Sequence, residues 1–170
     1  MEMKTIDNIE LLQAVIAAHP SHQIVGKTRL QKTIYLLQRL GLPTSYEFEM
    51  HFYGPYSDEL TDDAHFAVAA GLISEDRNIS NDGVPYYTFR AKMNGAPREL
   101  GALNEDVAEI AKIKDPVLLE LAATYDAFRT KGQDGEEALE SLRDKKGDKC
   151  SGGRDQKAIN FLEQLGLQYA

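Results

Sequence analysis

Apolar residues at positions 9, 12 and 16 (Ile9, Leu12, Ile16) recur at helical spacing, predicting a first helix capped by Asp7 or Asn8 and stopped by Pro20. GKTRLQKTIYLLQRLG, at 26–41, predicts a second helix opened by Gly26 and ended by Gly41 as its C′ residue. Leu30, Ile34 and Leu37 share one face of it, and Arg29, Lys32 and Arg39 another. Tyr35, Leu36 and Leu40 widen the apolar arc, so burial on two sides is expected.

The period then changes. YEFEMHFY, at 46–53, alternates aromatic and charged residues as a half-buried strand does. Gly54-Pro55 would end that strand and turn the chain, with Phe52, Tyr53 and Tyr56 filling the corner. Packing explains every residue of this stretch except His51. Ser57 predicts the N-cap of a third helix, with Leu60, Ala64, Ala67 and Val68 along its apolar face and Gly71 at its end. Residues 72–92 read as a β-hairpin turning near Asn81-Asp82-Gly83, with Tyr87 and Phe89 on one face.

Beyond Pro97 the pattern is helical throughout. Asn104 and Asp115 are the expected caps of two helices, the second with Pro116 at its first position. GEEALESLRDKK predicts another, and QKAINFLEQLG packs through Ala158, Phe161, Leu162 and Leu165. Between them, KGDKCSGGRD reads as a flexible polar segment.

The expected class is therefore α+β, mostly α. A winged-helix-like lobe of three helices and a hairpin wing would occupy 1–96, and a helical bundle 97–170, the two sharing one core. The 16 residues from Gly41 to Tyr56 are far longer than the turn of about three or four residues in a DNA-reading helix-turn-helix.

Charge adds to that departure. The chain carries a formal −8, which disfavours unspecific binding to nucleic acid or anionic membranes. Its third helix opens with Asp58, Glu59, Asp62 and Asp63 and has no Lys or Arg before Gly71, which opposes docking to phosphates. Lys27, Arg29 and Lys32 form the one basic cluster of the first lobe. It reads as a solvated helix face or as a contact surface for an acidic partner or a nucleic-acid backbone. The later run Arg143, Lys145, Lys146, Lys149 and Arg154 is interleaved with Asp144, Asp148 and Asp155, as in a solvated loop.

Recognisable chemistry is absent from the pattern. His19 and His22 lie in a helix-ending turn without a ligand partner at metal spacing, and His51 and His65 are isolated. Asp58 and Asp62 are better placed as dipole partners than as cation ligands. Gly26-Lys27-Thr28 ends like a phosphate-binding loop, but its upstream glycine position is Ser21. Cys150, the single cysteine, has no histidine partner and permits no internal disulfide. Neither a signal core nor a membrane-length apolar run occurs, so a cytoplasmic protein is expected, with no catalytic, cofactor or metal residues assigned.

Five stretches, KTRLQKTIYLL (27–37), FEMHFYGPYSDEL (48–60), VAAGLI (68–73), DPVLLELAATY (115–125) and KAINFLEQLGL (157–167), together resemble the YwgA-like family of small uncharacterised prokaryotic proteins. Over about residues 26–75 the LQK helix before a YGP turn is also distantly similar to the Panacea (SocA-like) antitoxin domain. That resemblance implies a non-enzymatic protein-interaction module of the antitoxin or phage-defence kind, with a toxin or defence component as partner. Lys27, Arg29, Lys32, Tyr53 and Tyr56 are the candidate partner-binding residues. The alternative is a winged-helix transcriptional regulator that binds duplex DNA.

Overall fold

The computed structural model describes residues 2–169. It is an α+β fold in which helices predominate. In chain order the elements are α1 (Met3–Ala17), β1 (Gln23–Val25), α2 (Lys27–Arg39), β2 (Glu49–His51), β3 (Gly54–Tyr56), α3 (Asp58–Ala69), β4 (Ile73–Ile79), β5 (Pro85–Ala91), α4 (Leu103–Ala111), α5 (Pro116–Thr130), α6 (Gly135–Lys146) and α7 (Arg154–Gln164). Short 3₁₀ segments occupy 20–22 and 147–153. No helix among the described residues is long and apolar enough to cross a membrane.

Most helix boundaries follow from local chemistry. Ser57 accepts from the Leu60 amide at the start of α3, and Asp115 accepts from the Val117 amide with Pro116 opening α5. Gly41 and Gly71 lie just past the ends of α2 and α3 with φ of +115° and +76°. Two expected caps are corrected. Helix α1 begins four to five residues before Asp7 and Asn8, because Asn8 turns inward and donates to Asp63 on α3 at 3.1 Å. Asn104 lies inside α4, whose cap position is Ala102.

The β4–β5 hairpin forms where expected, its register running from Ile73↔Ala91 to Ile79↔Pro85. The three-residue strand β1, too short to leave an alternation in the sequence, pairs with the other edge of β5 and gives the sheet order β1-β5-β4. The expected long strand at 46–53 shrinks to 49–51 and folds back on 54–56, so the chain turns at Phe52-Tyr53 and not at Gly54-Pro55.

Helices α2 and α5 form the centre. Every residue from Leu30 to Leu37 is buried, and so is every residue from Leu119 to Ala127. Helices buried on all sides carry polar residues only where those find partners. Asp126, fully buried on α5, accepts from Tyr35 at 2.6 Å, from Arg39 at 2.8 and 3.3 Å, and from Tyr169 at 2.5 Å. One carboxylate thus fastens α2 and the C-terminal tail to α5. Burial, together with that negative neighbour, pushes both the Tyr35 and the Tyr169 phenol well above the usual range.

Asp126→Ala leaves Arg39 and two phenols without an acceptor and is expected to cost about 3 kcal/mol. Asp126→Asn, which keeps an acceptor oxygen, should cost less. Urea melts of both variants check this, and a wild-type midpoint for Asp126→Ala would remove the fastening role.

Candidate site at the 49–56 hairpin

A hairpin of two three-residue strands has little stability of its own. Here it is fixed from below by side chains of α2, α5, α6 and the 147–153 segment. Gln31 brackets the backbone of Ser57, donating to its carbonyl at 3.0 Å and accepting its amide at 2.9 Å. Lys32, beside it on α2, is 1% exposed and donates from Nζ to the Pro55 carbonyl at 2.5 Å. Lys146 reaches up from the end of α6 and donates to the Phe52 carbonyl at 2.8 Å. Two inward-facing carbonyls of the hairpin thereby receive ammonium donors, as buried backbone acceptors require.

The lysines converge on a single acid. Glu120, buried on α5, lies 3.0 Å from Lys146 Nζ and accepts from Lys149 Nζ at 2.9 and 3.1 Å. Lys149 also stands 5.0 Å from the Tyr53 ring centroid and 5.7 Å from that of Phe52. Two ammonium groups in contact with Glu120, and that of Lys32 near it, leave this largely buried cluster with an excess of positive charge. Desolvation pushes the Lys32 ammonium down to about 8, and the Lys146 ammonium moves the same way. A lysine so shifted resembles an activated amine, but Lys32 is sealed and occupied by the Pro55 carbonyl.

Gly54 is required by the same packing. Its φ is +97°, and a Cβ there would stand 2.6 Å from Thr124 Oγ1 on α5. The hydroxyl cannot swing away freely, because it donates to the Glu120 carbonyl at 2.7 Å.

Above this base the turn faces solvent. Phe52 is 78% exposed and Tyr53 53%, their rings edge to face at 4.9 Å. The expectation that both fill the corner is corrected: moving the turn forward to 52–53 takes them out of it. Tyr56 does pack, donating or accepting with Thr61 at 2.7 Å and stacking on His51 at 4.9 Å, which also accounts for His51.

The five expected partner-binding residues therefore separate. Tyr53 is presented on the hairpin tip, and Tyr56 lies half-buried at its base. Lys32 is internal and takes no part in any basic surface of α2. Lys27 is exposed but lies against Glu75 at 3.9 Å and the Tyr87 ring at 4.0 Å, near the other sheet. Arg29 turns away to the Ile113 carbonyl at 2.6 Å. The segment at 147–153 is likewise corrected: it is folded, with Lys146 and Cys150 buried and Lys149 engaged. Burial pushes the Cys150 thiol up, opposite to an activated nucleophile. Sequence reading gave no role to Glu120 or Thr124 and placed Lys146 and Lys149 in a solvated loop. Glu120 left a signal, as a lone acid inside the apolar run of α5.

Over 41 residues, 24% of this chain, the sequence is 46% identical to the Uncharacterized protein YwgA of Bacillus subtilis (strain 168). The match spans 25% of that protein's length. No family model matches the chain.

Gly54→Ala is expected to cost about 2–4 kcal/mol, from the strained φ and the overlap with Thr124. Adding Thr124→Ala removes the overlap alone, so the double variant should be less impaired than the two single costs sum to. Additive losses in chemical denaturation would show that the 54–124 contact is not the constraint.

Lys32 also sets a pH dependence. With its folded value at about 8 against 10.5 unfolded, the desolvation cost of the charged amine is fully present below pH 8 and is relieved as pH rises toward 10.5. Relative to Lys32→Met, wild type should gain about 2 kcal/mol between about pH 7.5 and 9.5. A stability difference that stays flat across this range would mean the amine keeps its proton. Above it the raised tyrosines act oppositely, since the unfolded chain ionises first.

Proposed function

We propose that the chain is a non-enzymatic protein-interaction module whose contact point is the tip of the β2–β3 hairpin. The observation that carries this reading is the pair Phe52 and Tyr53, two aromatic side chains held out in solvent on a hairpin fixed to α2, α5 and α6. Aromatic residues on a rigid support are suited to be binding anchors, since little side-chain or backbone entropy is lost when they dock. The Panacea-like resemblance of the LQK–YGP segment supports a partner of the toxin or defence kind, met in the cytoplasm. On this reading the shared motif is the support: Leu30 packs in the core, Gln31 and Lys32 hold the hairpin, and Gly54 admits it against Thr124.

A second reading, a winged-helix regulator of transcription, is favoured by one observation. The order α1-β1-α2-β2-β3-α3-β4-β5 with a β1-β5-β4 sheet is compatible with a winged helix that carries the β2–β3 hairpin as an insertion before α3, its groove-reading element on this reading. Against it, Asp58, Glu59 and Asp62 are exposed on α3, while Asp63 is buried against Asn8 and Tyr46. Exposed carboxylates would be brought up to phosphates.

A photocrosslinking residue at position 52, used in the native host, identifies the partner. Phe52→Ser with Tyr53→Ser should then weaken its binding at least about tenfold, roughly 1.4 kcal/mol, without lowering the melting temperature. Unchanged affinity would end the hairpin-tip reading. Selection from random duplexes addresses the rival: one enriched motif bound at about 10⁻⁸ M or tighter would establish it, whereas binding no tighter than about 10⁻⁴–10⁻⁶ M is the unspecific level.

A further inference from the structure

On a different face, the 19–25 turn and the 111–116 loop enclose a cleft of about 500 Å³. Its charged lining residues are Arg29 and Lys114, and no aspartate or glutamate lines it. For a chain of net charge −8 this is an unusual local balance. Neither cation has a carboxylate within ion-pair distance among the described residues. Arg29 is half-buried, and its bond to the Ile113 carbonyl fixes the guanidinium while leaving it further donors.

His19 supplies a second, independent sign of a ligand. The residue is 5% exposed and lines both this cleft and a neighbouring one of about 550 Å³ on the same turn. Nδ1 stands 2.8 Å from the Val15 carbonyl, an acceptor only, so Nδ1 carries the proton. Burial keeps the ring neutral by pushing its pKa down, which leaves Nε2 as a bare acceptor. Nε2 is buried and has no protein partner. A buried polar atom left unpaired is costly and calls for a donor. The wall beside it is held in an unfavourable backbone state: Ser21 and His22, neither of them glycine, have φ of +60° and +55°. Such a turn persists because His22 is bound back through its amide to the His19 carbonyl at 2.9 Å and through Nδ1 to the Ala17 carbonyl at 2.6 Å.

We infer that this cleft binds a small oxyanion-bearing metabolite, its phosphate or carboxylate group on Arg29 and Lys114, and that the His19 ring tips toward the cleft to accept at Nε2 from a hydroxyl of the same ligand. Hydrogen phosphate carries both kinds of group in its smallest form. Guanidinium suits the planar or tetrahedral oxygen array of either anion, and the ammonium of Lys114 adds charge at the rim.

The probe is inorganic phosphate, with citrate as the carboxylate arm, titrated into the full ¹⁵N-labelled chain and followed by NMR. Saturable shifts are expected at Ile24, Arg29, Ile113 and Lys114, together with a change in the His19 Nε2 resonance. Response to phosphate alone assigns a phosphate group, and response to citrate alone a carboxylate. Arg29→Gln should weaken the responding anion at least tenfold. Lys114→Gln, at an exposed position that leaves the fold undisturbed, should weaken it severalfold, and Lys27→Gln on the same helix as Arg29 should change nothing. Shifts scattered over surface lysines, a silent His19, or wild-type titration of Arg29→Gln and Lys114→Gln would overturn the inference.

Discussion

The contact of Lys32 with the Pro55 carbonyl, under the electrostatic control of Glu120, is the constraint on which the hairpin depends. An ammonium ion is costly to bury, and this one is sealed between a central helix and a three-residue strand. It is tolerated because Glu120 lies near and because a carbonyl that cannot reach water requires a donor. The same carboxylate holds Lys146 and Lys149, so α6 and the 147–153 segment are fastened to the same point. Removing Glu120 would leave Lys146 and Lys149 without their counter-charge.

Helix α5 organises this arrangement from two faces, Glu120 and Thr124 toward the hairpin and Asp126 toward the end of α2 and the tail. Glu120 serves the lysine cluster, Thr124 shapes the space that only glycine fits at position 54, and Asp126 gathers Tyr35, Arg39 and Tyr169. Each is buried; the two carboxylates accept from different neighbours, and the Thr124 hydroxyl donates back to the Glu120 carbonyl. A helix of leucine and alanine alone would bury more apolar surface but would specify no register for α2, the hairpin and the tail. Such polar contacts stabilise less than they select, since misaligned packing strands a charge.

Rigidity beneath the hairpin and exposure above it belong to one design. One carbonyl of the two-residue turn, that of Phe52, and one of β3, that of Pro55, are pinned from below, so Phe52 and Tyr53 are held out of the corner. The excess positive charge of the cluster lies directly beneath them, with Lys149 reaching both rings. The oxyanion cleft at His19 and Arg29 is built from other elements, the α1–β1 turn and the α4–α5 loop, and shares no residue with the hairpin site.

Periodicity and capping chemistry in the sequence alone determined the helical class, the β4–β5 hairpin and the starts of α3 and α5. These are local properties: a Ser or Asp cap, a glycine past a helix end and a change of period act within a few residues. At the strand–helix joint Ser57 was legible as a cap for the same reason, but the turn read at Gly54-Pro55 lies two residues earlier, at Phe52-Tyr53. Tertiary structure decided the rest. Lys32 sits on the polar side of a helical wheel, yet it is buried because α5 and the hairpin cover that side too. Asn8 was legible as a cap but faces Asp63 across 55 residues. β1 is a strand only because the edge of β5 lies beside it. The run from Arg143 to Arg154 carries the charge pattern of a solvated loop, yet Lys146 is buried and Lys149 half-buried against Glu120. Charge reports solubility along a sequence, but the burial of a charge depends on a partner that only folding brings near.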